Sequence, residues 1–473
     1  MTQLFADCIS EILEYLERDK PTLHSCLLVN HLWCKISVKI LWRTVWNFNS
    51  CNFSVLIACL PDESKEILLK NGINISAPTS KPPMFNYASF CKVLSDYHIK
   101  YGIERLLKNR QSNDSNIEIV AQEIYKLLMN QISSLRTLHV DLLSMDIIFT
   151  SYPGSKNCLK YLSELICRSN FYPEFFHQLS QICHNIQSIH VVFDKDISDG
   201  LMDLIFSQHN LKNLVLHQSH DHEVLTNIIP SLAKLPNNTL IKLGVHEIHD
   251  CIPLPFPKNL YELTLSFHYD ISSEVTNDAF KVLQHVSFSN LQVLRFRNSC
   301  PKVKSLVNFL EKNGKDLREL YIENEIKFLD SLNLAISEFC PNLKILSTLV
   351  SDYNSLKVIF KKCQHLESLK LYDKYFNLEE LFDIIIKYSP KNFHQLKIYY
   401  DYQMELQLVP ELLKYFYENW KNRVPQKPFS LIIIDYLVKN NFAKNHENMK
   451  IVEDFINSGV IKKFKVIDYS ENY

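Results

Sequence analysis

The sequence predicts an α/β fold in which a short helical N-terminal segment precedes a long, curved repeat array. Two observations carry this prediction. From residue 133 onward one phrase recurs: an apolar residue, two residues, an apolar residue, one residue and a third apolar residue. Between consecutive copies lies a stretch with helical periodicity. Strands and helices that alternate every ~20–29 residues stack into a solenoid, with parallel strands on the concave face and helices on the convex face.

Residues 1–48 have the apolar spacing of three short helices. The apolar residues of the first helix form one helical stripe: Leu4, Ile9, Ile12, Leu13 and Leu16. Pro21 disfavours helical geometry in the residue before it, so we expect this helix to end near Asp19 and Thr22 to cap the second helix. A third helix should carry the apolar residues of 36–42. Three short helices cannot bury so much apolar surface among themselves, so one face of this segment should pack on the repeat array or bind a partner.

The same order of apolar residues continues through the second and third helices, with Leu23, Cys26, Val29, Trp33, Leu41 and Trp42. Over residues 4 to about 46 this order resembles the F-box. It departs from the family at Phe5, where proline is usual, and at Asn30. The resemblance implies that the segment binds a Skp-type adaptor and so joins a cullin–RING ubiquitin ligase. The adaptor-binding residues that it implies are Leu4, Phe5, Ile9, Ile12, Leu13 and Leu27.

Two other interpretations of residues 1–48 stay open. In one, the segment is an ordinary three-helix cap on the repeat array and binds no adaptor. In the other, it is a DNA-binding helix-turn-helix, which needs a basic recognition helix. Lys35, Lys39 and Arg43 supply only one basic stripe, so the sequence gives this second alternative little support.

Residues 49–132 are predicted to form a helical connecting segment. Three prolines place a loop at 73–84, because proline fits neither a regular helix nor a central strand. Helices are expected on either side of a polar stretch, at 85–107 and at 117–132. This segment is expected to fix the N-terminal helices relative to the repeats.

Residues 133–473 contain eight clear copies of the phrase and three weaker ones. The clear copies begin at Leu135, Ile186, Leu211, Leu260, Leu291, Leu317, Leu366 and Phe393, and the weaker ones at Leu159, Leu240 and Leu343. The Leu-x-Leu alternation favours strands over an all-helical array. The period is that of the leucine-rich repeat, and the last, atypical strands are expected at 429–434 and 464–467.

Polar and aromatic side chains alternate with the buried leucines and should line the concave face. The predicted target-binding residues are Arg295, Arg297, Glu319, Tyr321, Glu323, Lys370 and Tyr372. Arginine and tyrosine are enriched in binding hot spots. A solvated sheet face also needs polar residues, so this pattern has a structural explanation as well.

Composition narrows the classes of function. Lys plus Arg is 51 and Asp plus Glu is 52, which does not favour nucleic acid or an anionic membrane as a partner. With 7 glycines in 473 residues and no phosphate-binding motif, the chain lacks the marks of nucleotide-dependent enzymes. No metal site, cofactor or catalytic constellation is predicted. The 13 scattered cysteines are expected to be reduced thiols, in the cytosol or the nucleus.

Residues 1–48, which we call the head, and the repeats of residues 133–473 together resemble the F-box/leucine-rich-repeat substrate receptors. The resemblance implies a non-enzymatic subunit of a Skp–cullin–F-box ubiquitin ligase, whose helices bind the adaptor and whose repeats bind a target protein. The alternative is a leucine-rich-repeat interaction scaffold with no link to ubiquitination.

Overall fold

A computed structural model describes residues 5–468 except 46–47, 76–82, 108–113, 142–147, 195–197, 199, 219–223, 234, 236–238, 249–254, 268–279, 299, 323–328, 351, 374–376, 401–408, 426 and 436–445. The chain divides into two compact units, Met1–Ser219 and His220–Tyr473.

The first unit begins with short helices and ends in a parallel sheet. Its helices are α1 (Ala6–Glu14), α2 (Lys20–Cys26), α3 (His31–Leu41), α4 (Ser50–Ala58), α5 (Asp62–Lys70), α6 (Asp96–Leu107), α7 (Asp114–Gln131), α8 (Ser155–Leu159), α9 (Pro173–Ile182) and α10 (Gly200–Phe206). Its strands are β1 (Val93–Ser95), β2 (Thr137–Val140), β3 (Glu164–Arg168), β4 (Ser188–Phe193) and β5 (Asn213–Gln218). Each strand pairs in parallel with the next one along the chain.

The second unit repeats the same plan without a helical head. Its strands are β6 (Lys242–Ile248), β7 (Glu262–Phe267), β8 (Val293–Arg297), β9 (Glu319–Ile322), β10 (Ile345–Leu349), β11 (Ser368–Asp373), β12 (Gln395–Tyr400), β13 (Phe429–Asp435) and β14 (Ile461–Asp468). Its helices are α11 (Val224–Leu232), α12 (Val303–Asn313), α13 (Leu329–Phe339), α14 (Tyr353–Lys362), α15 (Leu378–Tyr388), α16 (Pro410–Lys421) and α17 (His446–Asn457). Neighbouring strands are again parallel and sequential.

One row of buried side chains crosses each sheet at a constant register. In the first unit the row is Leu94, Leu138, Leu165, Ile189 and Leu214, and in the second it is Leu243, Leu263, Leu294, Leu320, Leu346, Leu369, Leu396 and Leu431. Apart from Leu94, Leu165 and Leu431, these are the middle apolar residues of the predicted phrases. Parallel crossovers are right-handed, so in each unit the helices lie on the face that this row occupies. The predicted α/β class, with parallel strands and intervening helices, is confirmed.

The connecting segment is not purely helical, and the helix predicted over 85–107 is wrong in its first half. A 3₁₀ turn (Tyr87–Phe90) and strand β1 precede α6. The apolar spacing there fits a helix and a strand equally well, and pairing with β2 decides for the strand because it satisfies the backbone. The predicted loop at 73–84 lies mostly outside the described residues.

Two further local predictions need correction. The weak copy placed at Leu159 begins at Leu162, because Cys167 fills the third apolar position of β3 and is fully buried there. The second helix is capped by Asp19, whose carboxylate accepts a hydrogen bond from the Thr22 N–H at 3.2 Å. Pro21 fits the first turn of this helix, where its missing N–H is not needed.

A buried polar side chain at the end of a helix holds successive repeats together. The Gln208 amide donates to the Cys183 carbonyl at 2.7 Å and accepts from the Ile186 N–H at 2.9 Å. Asn313 does the same in the second unit. Its amide donates to the Val286 carbonyl at 2.9 Å and accepts from the Phe288 N–H at 2.8 Å. Each amide thus satisfies two backbone groups of the preceding repeat that are shielded from water.

These amide bridges can be tested with Asn313→Ala. The substitution leaves a buried N–H and a buried carbonyl without partners, so we expect unfolding to become easier by about 2–4 kcal/mol. Urea denaturation measures the change. Asn342→Ala is the matched control, because the exposed Asn342 amide makes one hydrogen bond to the Lys315 carbonyl and its loss should cost less than ~1 kcal/mol. Equal losses would contradict a special role for the buried amide.

Candidate binding surfaces

The three N-terminal helices form a small core of their own. Its buried members are Ile9, Leu13, Leu23, Cys26, Ile36 and Ile40. Ile9 and Leu13 are only 2% and 0% exposed, so these two predicted adaptor-binding residues face inward and cannot contact a partner in this structure. Leu27 is partly buried, and Leu4 lies outside the described residues. Trp42 is buried as expected, whereas Trp33 is partly exposed.

A second face of the head is apolar and exposed. Phe5, Ile12 and Tyr15 are 80%, 48% and 88% exposed, and their spacing places them on one side of α1. Leu28 and Val29, in the turn between α2 and α3, are 89% and 57% exposed. Of the predicted contact residues, Phe5 and Ile12 therefore lie where a partner can reach them. We call these five residues the exposed head face.

An ion pair holds the ends of α1 and α3 together. Arg43 donates through both terminal nitrogens to the two carboxylate oxygens of Glu14, at 2.7 and 2.5 Å, and also to Glu17 at 3.3 Å. The hydrogen bond from Arg43 is the main cause that lowers the pKa of Glu14. The pair is partly exposed, so its value lies in orientation more than in stability.

The head is joined directly to the sheet of the first unit. The Arg43 carbonyl accepts hydrogen bonds from the N–H groups of Lys92 and Val93, at 2.7 and 3.1 Å. Thr44 forms a parallel bridge with Val93, next to which the Trp42 ring packs on Tyr87 with centroids 4.5 Å apart. The polypeptide thus passes from α3 into the first edge of the sheet without a flexible linker.

In the second unit, the sheet face opposite the leucine row carries the predicted target-binding residues. We call it the open face. Side chains alternate along a strand, so Arg295, Tyr321 and Lys370 occupy this face. Glu323 lies outside the described residues, and Arg297 is exposed at the end of β8.

Arg295 is the centre of a balanced charge network on the open face. Its guanidinium donates to Glu262 and to Glu319, each at 3.1 Å, and lies 3.8 Å from the Tyr321 ring centroid. Lys242 also pairs with Glu262 at 2.9 Å, and the Tyr321 hydroxyl donates to Glu319 at 2.9 Å. Two cations face two carboxylates. The predicted residues Arg295, Glu319 and Tyr321 are therefore engaged with one another across β7–β9.

Burial of Glu262 disfavours its charged form, but its partners outweigh this effect. The hydrogen bonds and charges of Lys242 and Arg295 lower the pKa of the Glu262 carboxyl below its usual value. A carboxyl with a lowered folded-state pKa stabilises the fold above its unfolded-state pKa, and this contribution is lost as pH falls through the folded-state value.

A different cluster covers β11–β14 on the same open face. We call it the lysine–tyrosine surface, and its members are Lys370, Tyr372, Lys397, Tyr399, Lys463 and Lys465. Lys370 stands directly opposite Lys397. The rings of Tyr372 and Tyr399 stack at 4.3 Å, and the Lys370 ammonium lies 4.3 Å from the centroid of Tyr399. The sequence prediction named only the first two as target-binding residues; the same alternation places Lys397 and Tyr399 on this face, whereas Lys463 and Lys465 belong to the last, atypical strand.

Three findings on the described residues concern other kinds of site. Among them, no group of three or more His, Cys, Asp or Glu side chains is placed to hold a metal ion. No helix within the described ranges is long and apolar enough to cross a membrane. Burial raises the pKa of the described thiols Cys91, Cys158 and Cys183 to about 12, so these three are poor nucleophiles at neutral pH.

Register and burial together define two α/β units built from strand–helix repeats of the leucine-rich-repeat kind. No protein-family model matches the chain, and a search of curated proteins finds no match. Among solved structures, the chain is similar to one in the crystal structure of the Rad7 and Elc1 complex in yeast. The identity is 15%, the match covers 93% of this chain and 94% of that chain, and the TM-score is 0.37. At this TM-score the likeness carries no argument about function.

The Arg295 network predicts a pH-dependent loss of stability in Arg295→Met. Two partly buried carboxylates lose their shared cation, so we expect a destabilisation of about 1–3 kcal/mol at neutral pH. The difference from the parent chain should shrink as pH falls and the carboxyls protonate. Urea denaturation at several pH values measures it. Arg297→Met, at the exposed end of the same strand, should change stability by less than ~0.5 kcal/mol; a pH-independent loss in Arg295→Met would contradict the charge explanation.

Proposed function

We propose that this protein is the substrate-recognition subunit of a Skp–cullin–F-box ubiquitin ligase. Its head binds a Skp-type adaptor, and its repeats bind a target protein, in the cytosol or the nucleus. It has no active site of its own. The observation that carries the proposal is the exposed head face, on a helical bundle whose apolar order resembles the F-box.

The exposed head face needs an explanation because the head leaves five large apolar side chains in contact with water. Among the described residues, twenty large apolar or aromatic side chains are exposed, and five of them belong to the head. The head is about a tenth of the chain, so it has more than twice its share. Neither the head core nor the Arg43 ion pair uses these five side chains. A protein partner that buries them would gain roughly 25 cal/mol for each Å² of apolar surface removed from water.

The junction between head and sheet suits a receptor that works by proximity. A ligase subunit raises the effective concentration of a target lysine near the charged enzyme, which requires a defined distance between the two docking surfaces. In the first unit the Thr44 bridge and the Trp42–Tyr87 contact tie the head to β1. A partner bound to the head is therefore held at a fixed place relative to the first strands.

The alternative is a repeat scaffold whose head is only a cap. The same junction supports it, since Thr44 and the Arg43 carbonyl occupy the edge of β1 that would otherwise be unpaired. A cap needs no exposed apolar side chains of this kind, and this is why we favour the receptor.

The proposal predicts that Ile12→Asp with Leu28→Asp abolishes adaptor binding by the full chain. Both side chains are exposed, so the introduced carboxylates should leave the fold intact. They should weaken the binding of a Skp-type adaptor by about thirtyfold or more. Co-purification and calorimetry measure binding, and circular dichroism checks folding. Ile9→Asp would not serve, because it places a charge in the head core.

The matched control is Ile67→Asp with Leu69→Asp, two exposed apolar residues on α5 outside the head. It should bind the adaptor like the parent chain. If the folded parent chain binds no Skp-type adaptor, the receptor proposal is wrong and the scaffold is preferred. If the Ile12 and Leu28 variant binds normally, the exposed head face is not the docking surface.

A further inference from the structure

Part of the positive charge on the lysine–tyrosine surface has no anionic partner among the residues that the structure describes. Within the part of the chain that the structure describes, Lys397, Lys463 and Lys465 make no ion pair and no hydrogen bond through their side chains. Lys397 is partly buried, and it stands directly opposite Lys370 on the neighbouring strand. Like charges opposite one another in a sheet are destabilising. An anion bound at Lys397 would offset this repulsion.

In the Arg295 network on the same face, the charged side chains pair with one another. There, two cations alternate with two carboxylates on β6–β9, and every charge has a partner at about 3 Å. On β11–β14, Lys397 stands opposite Lys370 on one side and Ile432 on the other, and Lys463 and Lys465 stand opposite Ser430 and Ile432. The contrast lies within one sheet face of one unit, so a general need for polar side chains does not explain it.

Burial and neighbouring charge both act on Lys397. Burial is the larger cause that lowers its pKa, and the charges of Lys370 and Lys463 add to it. An anion placed against the Lys397 ammonium would offset the repulsion and favour its charged form. The site is thus arranged to gain from a negatively charged ligand.

An apolar group lies beside the lysines. Tyr399, Ile432 and Ile434 are buried on the open face, and Tyr372 and Ile467 pack against them while remaining partly exposed. The partly exposed Tyr372 ring stacks on the buried Tyr399 ring, and the Lys370 ammonium lies 5.2 and 4.3 Å from their centroids. An inorganic anion would use only the lysines, whereas a peptide can use both features.

We propose that the lysine–tyrosine surface binds an acidic segment of a partner protein, with Asp or Glu carboxylates on Lys397, Lys463 and Lys465. An apolar side chain of the same segment packs on Tyr372 and Ile467. The identity of this partner as a ligase target rests on the proposed function, but the binding of the acidic segment does not. Charge complementarity selects the segment, and the contact of its apolar side chain with Tyr372 and Ile467 fixes its position.

The test uses the full chain and two pools of labelled twelve-residue peptides. The first pool contains four to six Asp or Glu residues and one Leu, Ile, Phe or Tyr, and the second replaces each Asp by Asn and each Glu by Gln. We expect the chain to enrich the acidic pool about tenfold over the amide pool, and the preference to weaken as salt screens the charges. Anisotropy with the most enriched acidic peptide then gives the affinity.

Lys397→Gln with Lys463→Gln should lower the affinity for that peptide by about tenfold. Lys304→Gln with Lys450→Gln removes the same charge from exposed positions on α12 and α17 and should leave the affinity unchanged. Equal enrichment of the two pools, or equal loss in the two double variants, would overturn the proposal. So would binding that requires a phosphorylated peptide or anionic lipid vesicles in place of carboxylates.

The adaptor experiment and the peptide experiment fail independently. The Ile12 and Leu28 variant should bind the acidic peptide like the parent chain, because its substitutions lie in the head. A chain that binds acidic peptide but no adaptor would refute the ligase role alone. A chain that binds adaptor but shows no acidic preference would refute the lysine–tyrosine surface alone.

Discussion

Lateral burial of one leucine per strand is the constraint on which each unit depends. A single strand–helix repeat cannot bury its apolar face, and only stacking with its neighbours removes the Leu294 or Leu320 side chain from water. That requirement fixes the parallel register, places the helices on one face and leaves the other face for polar residues. Gln208 and Asn313 then satisfy the backbone groups that stacking buries. Each repeat is therefore stable only as part of a row.

The sequence predicted the repeats well because the Leu-x-Leu alternation records burial directly. It failed where burial uses another residue type or where two periods coincide. Cys167 hides the third apolar position of β3, and the spacing around Val93 suits both a helix and a strand. In the head, an apolar stripe of the right order contains two kinds of residue. Ile9 faces the core and Ile12 faces outward, a difference that tertiary packing decides.

Charge on the open face could be located from sequence but not interpreted. Alternation placed Arg295 and Lys370 on the same face, but it does not show which cation has an anionic partner. Whether a cation has a partner depends on the residue opposite it in the next repeat, and therefore on exact register. Glu262 and Glu319 stand beside Arg295, whereas Lys397 stands beside Lys370. Arg295 is thus held between two carboxylates, whereas Lys397 has no anionic partner among the described residues.

The bridge between Thr44 and Val93 also bears on self-association. A parallel sheet with an uncovered first strand presents N–H and carbonyl groups to any extended chain, including another copy of itself. The Arg43 carbonyl occupies the N–H groups of Lys92 and Val93, and so it blocks this template. Proteolysis within residues 1–48 would then have a consequence unrelated to adaptor binding, because it would leave β1 as an unpaired edge strand prone to aggregation.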